Sequence, residues 1–123
     1  MVNTKLTIKQ VQVILDQPNL QREEIHDCLE AGNILLRAKA ILELRKHQDE
    51  DAVHSLVVAA QNPANQVILM GVTKVAHLAI ACLQQLDTPA ARRAVTELYE
   101  ELTLTEREDI EWFNRAEQHG VLA

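Results

Sequence analysis

The side chains that could move protons, bind metals or attack a substrate are few in this 123-residue sequence. Ser55 is the only serine, so serine-based catalysis has a single candidate, on a helix. The histidines lie in different segments and form no i,i+4 pair of the kind that binds zinc from one helix; they are His26, His47, His54, His77 and His119. No glycine-rich phosphate-binding loop occurs. The sequence therefore predicts no catalytic centre, no metal and no cofactor.

The two cysteines, Cys28 and Cys82, fall on apolar faces of their segments. A thiol in such surroundings behaves as a small hydrophobic group and is a poor nucleophile. Two cysteines also fall short of the dense disulfide framework of small secreted domains. We expect reduced, buried thiols.

Arg37 is a candidate ligand-binding residue, because its helical neighbours Ile41 and Leu44 are apolar. Its guanidinium could bind a carboxylate or phosphate in a bidentate manner. The other interpretation is a structural ion pair with Asp49 or Asp51 that holds adjacent helices together. The second interpretation is favoured.

His77 is the histidine whose position suggests a role, because it lies in a narrow polar stripe with Gln66, Thr73 and Gln84. The rest of that segment is almost entirely apolar. A catalytic base is one interpretation of His77. A solvent-facing or hydrogen-bonded histidine is the favoured one.

The aromatic residues are only Tyr99, Trp112 and Phe113. On a helix, Phe113 and Ala116 define the inner face. Ile110 lies about 60° to one side of Phe113 and Trp112 lies about 160° from Ile110, so one packing face cannot bury both of them centrally. Phe113 is expected to close the core, and Trp112 to lie at its rim, partly exposed. Trp112 and Tyr99 are therefore partner-binding candidates. The other interpretation of Trp112, that it covers the edge of the last hairpin, is slightly favoured.

Composition and capping signals predict an all-α fold of about seven short helices. Only three glycines and three prolines occur, and helix-forming residues dominate. The first predicted helix ends before Pro18, and the last begins at a Thr105–Glu108 capping box and ends at Gly120. The remaining helices are predicted over 20–31, 33–47, 52–61, 66–86 and 90–102. Residues 66–86, capped by Asn65, are predicted as the central buried helix, with Gly71 marking a close approach of another helix.

Length and charge indicate one acidic globular domain. The net charge is −6, and residues 87–123 carry four Lys and Arg against nine Asp and Glu. An acidic chain without a basic cluster is a poor partner for nucleic acid. No secretory signal or continuous membrane-spanning stretch is evident, so a cytoplasmic location without membrane association is expected.

The sequence also repeats itself at a spacing of 39 residues. "RAKAILEL" (37–44) aligns with "AHLAIACL" (76–83), and "DAVHSLV" (51–57) aligns with "AARRAVT" (90–96). Each copy predicts one helical hairpin. With Arg37, Ala40 and Leu44 in their helical spacing, the chain resembles the HEAT-like repeat family, including the short variant of phycobilin lyase-type proteins. The second copy departs from that pattern at Ala76, which replaces the arginine.

The resemblance implies a stack of helical hairpins used for protein contacts. Residues 1–31 would form an N-terminal cap, 32–102 two hairpins and 103–123 a C-terminal cap helix. We therefore expect a noncatalytic protein interaction module or adaptor. The alternative is a small ligand-binding or lyase-accessory protein, for example one that binds a tetrapyrrole through Arg37 or His77. A homodimer is compatible with either.

Overall fold

The computed structural model describes residue 13 and residues 22–30, 32–70, 73–86 and 88–118. These residues are mostly helical, as predicted. Six α-helices are present among them: α1 (Arg22–Leu29), α2 (Ile34–Leu44), α3 (Glu50–Gln61), α4 (Val75–Gln85), α5 (Pro89–Glu100) and α6 (Leu104–Gln118). The helix predicted to end before Pro18 lies outside the described residues except for Val13, which is helical. The predicted stop at Gly120 also lies outside them.

Capping side chains begin the helices close to where the sequence predicts. Asn33 Oδ1 accepts the backbone N–H of Leu35 at the start of α2, and Asp49 caps α3 in the same way. Thr88 caps α5, with Pro89 at its first position. These side chains accept backbone N–H groups that have no partner inside the helix.

The start of α6 differs from the prediction by two residues. Thr103, not Thr105, forms the capping box with Glu106. The Thr103 hydroxyl accepts the Glu106 N–H (3.1 Å), and the Glu106 carboxylate accepts the Thr103 N–H (3.0 Å). Both threonines precede a glutamate by three residues, so the sequence offers two starting points.

The prediction of a continuous helix over 66–86 is wrong in its first half. A short 3₁₀-helix (Pro63–Asn65) follows α3, and β1 (Ile68–Met70) then pairs antiparallel with β2 (Thr73–Lys74). The run from Val67 to Met70 is rich in β-branched and large apolar residues, which suit an extended strand as well as a helix. Gly71, read as a close helix contact, lies outside the described residues.

The second half of that prediction is confirmed, because α4 is the central helix. Every residue from Val75 to Leu83 is buried. The helix packs against α2, α3, α5 and α6. The narrow polar stripe of this segment thus correctly indicated a helix with neighbours on most sides.

The two copies of the 39-residue repeat each span two consecutive helices and share burial at only part of the aligned positions. Their first helices are α2 and α4, and their second helices are α3 and α5. Ala40 and Ala79 are both 0% exposed. In the second helices, however, Leu56 is buried whereas its counterpart Val95 is half-buried.

Helix α6 covers one side of this core. Ile110, Phe113 and Ala116 are buried, whereas Trp112 is 38% exposed. The predicted separation of the two adjacent aromatic residues is confirmed. Cys28 and Cys82 are buried and form no disulfide, as expected. No helix in the described part of the chain combines the length and apolar character needed to cross a membrane.

Replacing Phe113 with alanine should lower the free energy of unfolding by about 3–5 kcal/mol, because it leaves a cavity against the α4 side of the core. Urea denaturation followed by circular dichroism measures the change. Leu104→Ala on the same helix is the matched control, since Leu104 is 71% exposed and its truncation should cost within about 0.5 kcal/mol. Equal losses for the two variants would contradict the assignment of Phe113 to the core.

Candidate functional site

A cavity of about 270 Å³ lies between α1, α3 and the 3₁₀-helix. Its walls combine imidazole, hydroxyl, carboxamide and carboxylate groups with a few aliphatic side chains. The lining residues are His26, Leu29, Glu30, His54, Ser55, Val58, Ala59, Asn62 and Asn65. We call this the His26–Ser55 cavity.

Ser55 and His26 form a hydrogen bond across two helices, with 3.1 Å between Ser55 Oγ and His26 Nε2. Ser55 is 4% exposed, whereas His26 is exposed. The sequence does not indicate this contact, because 29 positions separate the two residues and the side-chain pattern of neither helix points to the other.

The Ser55–His26 hydrogen bond is of the kind that a serine nucleophile makes with its general base in an enzyme. An enzyme that uses such a pair also orients the imidazole with a third group and supplies donors for the developing oxyanion. No carboxylate among the described residues hydrogen-bonds His26, and Ser55 lies inside α3, where backbone N–H groups bond within the helix. The arrangement is thus better suited to hydrogen-bonding a ligand than to acyl transfer.

Two asparagines form the end of the cavity nearest the 3₁₀-helix. Asn62 Oδ1 accepts the Ala64 N–H (2.9 Å) and so begins that turn. Asn65 is 2% exposed and donates from Nδ2 to the carbonyl of Ala59 (2.9 Å). Its Oδ1 is buried and has no hydrogen-bond partner. The prediction that Asn65 caps a long helix is therefore wrong. Asn65 lines the cavity, and its Oδ1 is shielded from solvent.

His77 is buried in α4 at 2% exposure, so its interpretation as a solvent-facing residue is wrong and its interpretation as a hydrogen-bonded residue is confirmed. Its Nε2 lies 3.4 Å from Glu106 Oε2, and Lys74 Nζ lies 3.9 Å from the same oxygen. Burial lowers the pKa of His77 below its ordinary value of 6.5, although the hydrogen bond and charge of Glu106 oppose this. The same carboxylate thus caps α6 and contacts α4.

Arg37 joins α2 to the 3₁₀-helix, because its Nη2 donates to the carbonyl of Ala64 (3.1 Å). It is half-buried. The predicted ion pair with Asp49 or Asp51 stays a prediction. Arg37 acts here as a structural donor to the backbone.

Tyr99 uses its polar atoms within the chain. Its hydroxyl accepts from Gln84 Nε2 (2.8 Å), and its carbonyl accepts from Arg107, whose guanidinium also lies over the ring at 5.7 Å. Burial raises the pKa of Tyr99 above 10.0. These contacts link α4, α5 and α6 and make Tyr99 a weaker anchor candidate than Trp112.

A chain of side-chain hydrogen bonds ties the C-terminal end of α4 to its neighbours. Arg45 Nη1 donates to Gln85 Oε1 (2.7 Å), and Gln85 Nε2 donates to Asn114 Oδ1 (3.3 Å). Asn114 Nδ2 donates in turn to Gln84. This series of hydrogen bonds connects the end of α2 with α4 and α6, so it helps to set the position of α6.

None of the four sequence candidates, Arg37, His77, Tyr99 and Trp112, lines the His26–Ser55 cavity. They do not form one site. In the described ranges, no group of three or more His, Cys, Asp or Glu side chains is placed to hold a metal ion. The chain matches no protein-family model, no curated protein and no solved structure.

His77 should make folding stability depend on pH. Because its folded-state pKa lies below 6.5, the unfolded chain binds more protons, and stability falls as pH drops through 6.5. The slope from this one group is at most about 1.4 kcal/mol per pH unit. His77→Gln should flatten that slope when urea midpoints are measured from pH 8 to pH 5.

His47→Gln is the control for this measurement, since His47 is only half-buried. Glu106 adds a separate loss at lower pH. Its pKa is lowered from 4.5 chiefly by the Thr103 backbone hydrogen bond, so its contribution to stability declines below pH 4.5 and is lost as pH falls through the lowered folded-state pKa. A wild-type slope retained between pH 7 and pH 5 in His77→Gln would show that His77 is not the group responsible.

Proposed function

We propose that this chain is a noncatalytic protein interaction module built from HEAT-like helical pairs, and that it binds its partner through the outer face of α6. The observation that carries the proposal is Trp112, a large aromatic side chain that remains 38% exposed at the rim of the face with which its helix covers the core. Exposed tryptophan is a frequent anchor in protein interfaces.

The outer face of α6 combines apolar and acidic side chains. At 100° per residue, Leu104, Glu108, Glu111 and Trp112 lie within an arc of about 100°. All four are exposed. We call this surface the Trp112 face. It offers an aromatic ring and an aliphatic side chain separated by two carboxylates.

A basic segment with apolar side chains complements the Trp112 face. Lysine or arginine can pair with Glu108 or Glu111 and stack on the Trp112 ring, where a cation–π contact adds about 0.5–1 kcal/mol at an exposed site. Residues 87–123 carry nine acidic against four basic residues. This excess should speed association with a basic partner and disfavour pairing of two copies through the same face.

The burial shared by Ala40 and Ala79, which lie 39 residues apart in α2 and α4, supports the HEAT-like part of the proposal. In such arrays each helical pair buries one face against its neighbour and leaves the other for partners.

The alternative role, tetrapyrrole binding or lyase assistance through Arg37 or His77, has less support. His77 is buried against Glu106, and Arg37 donates to the backbone of Ala64. The His26–Ser55 cavity, at about 270 Å³, falls below the roughly 300–1,000 Å³ of typical small-molecule pockets. It is thus small for an extended tetrapyrrole.

Titration with designed helical peptides tests the proposed function, with the single tryptophan as the reporter. A lysine- and leucine-containing peptide should bind and change Trp112 fluorescence, whereas the same peptide with glutamate for lysine should not. Glu108→Lys/Glu111→Lys should weaken binding by at least about tenfold, because two favourable charge contacts become repulsive.

Asp27→Lys/Glu97→Lys is the matched control for that variant, since it makes the same change in net charge at exposed positions on α1 and α5. It should retain most of the affinity. Equal losses in the two double variants would show general charge attraction without a defined face. A dimer in light scattering with Trp112 protected from iodide would instead assign the face to self-association.

A further inference from the structure

We propose that the His26–Ser55 cavity binds a small α-amino acid with an aliphatic side chain. The inference is independent of the proposed partner surface, because the cavity lies between α1 and α3 and the Trp112 face lies on α6. Three groups of lining residues carry it, each matched to one part of the ligand.

A carboxylate matches the ammonium group. Glu30 is the only carboxylate among the cavity-lining residues, and an ammonium ion forms charge-assisted hydrogen bonds with such a group. Asn65 also lines the cavity, but its Oδ1 is shielded from solvent and its Nδ2 is held by the carbonyl of Ala59. Recognition of the ammonium therefore rests on Glu30.

Hydrogen-bond donors match the carboxylate group. His26 and His54 are exposed at the cavity, and an imidazole donates at least one N–H in either protonation state. The Nδ2 group of Asn62 adds an amide donor, because the hydrogen bond within the turn uses only its Oδ1. The Ser55–His26 bond holds one imidazole in place across the two helices.

The aliphatic lining residues and the size of the cavity match the aliphatic side chain of the ligand. Leu29, Val58 and Ala59 line it, and Val58 is 52% exposed despite being β-branched and apolar. An aliphatic side chain placed against them would remove that surface from water. A volume of about 270 Å³ is suited to a molecule of leucine size.

Calorimetric titration with three matched probes tests the inference: L-leucine, 3-methylbutylamine and 4-methylpentanoate. The amine lacks the carboxylate, and the acid lacks the ammonium. Leucine should bind saturably, and each of the other two should bind at least about tenfold more weakly, because each loses one set of charge-assisted hydrogen bonds.

Glu30→Gln identifies the site, since it removes the charge that faces the ammonium while keeping the side-chain shape. It should weaken leucine binding by at least about tenfold. Glu50→Gln is the matched control, because Glu50 is exposed on α3 and does not line the cavity. It should bind leucine like the wild type, with both variants checked for folding by circular dichroism.

The result that overturns the inference is the absence of saturable leucine binding to the wild-type chain. Equal affinity for leucine and for either single-charge probe would also overturn it, as would unchanged binding in Glu30→Gln. Chemical-shift changes of the His26 and His54 rings on leucine addition, absent with 4-methylpentanoate at the same concentration, would support it.

Discussion

Nine consecutive residues of α4, from Val75 to Leu83, are shielded from solvent, so this helix requires a neighbour on every side. Helices α2, α3, α5 and α6 provide those neighbours. Their buried faces are dominated by alanine and leucine, which lets them approach α4 closely. The free energy gained by burying α4 from all directions is the term on which the arrangement of the other helices depends.

One polar residue inside that buried stretch couples the core to the proposed partner surface. His77 needs a hydrogen-bond partner because an unpaired buried imidazole is costly, and Glu106 provides one from the first turn of α6. The same glutamate closes the Thr103 capping box. The contact therefore fixes where α6 begins relative to α4, and with it the direction in which Trp112 projects.

Sequence patterns identified the parts of the fold that depend on neighbouring residues. Caps such as Asn33 and Thr88 act within three residues, and the burial of Phe113 beside an exposed Trp112 follows from the 100° turn of a helix. The structure of residues 66–74 was predicted wrongly as helix, because their apolar side chains suit a strand or a helix equally. The pairing of β1 with β2, a contact between two segments, selected the strand.

The sequence by itself determined the helical class and the presence of a central buried helix within residues 66–86, because these depend on periodicity and local capping. Tertiary structure alone decided which polar groups meet. Ser55 contacts His26, and His77 contacts Glu106, each across 29 positions, and Asn65 lines a cavity instead of capping a helix. Such contacts depend on how helices pack, and short-range side-chain patterns carry no information about packing distances.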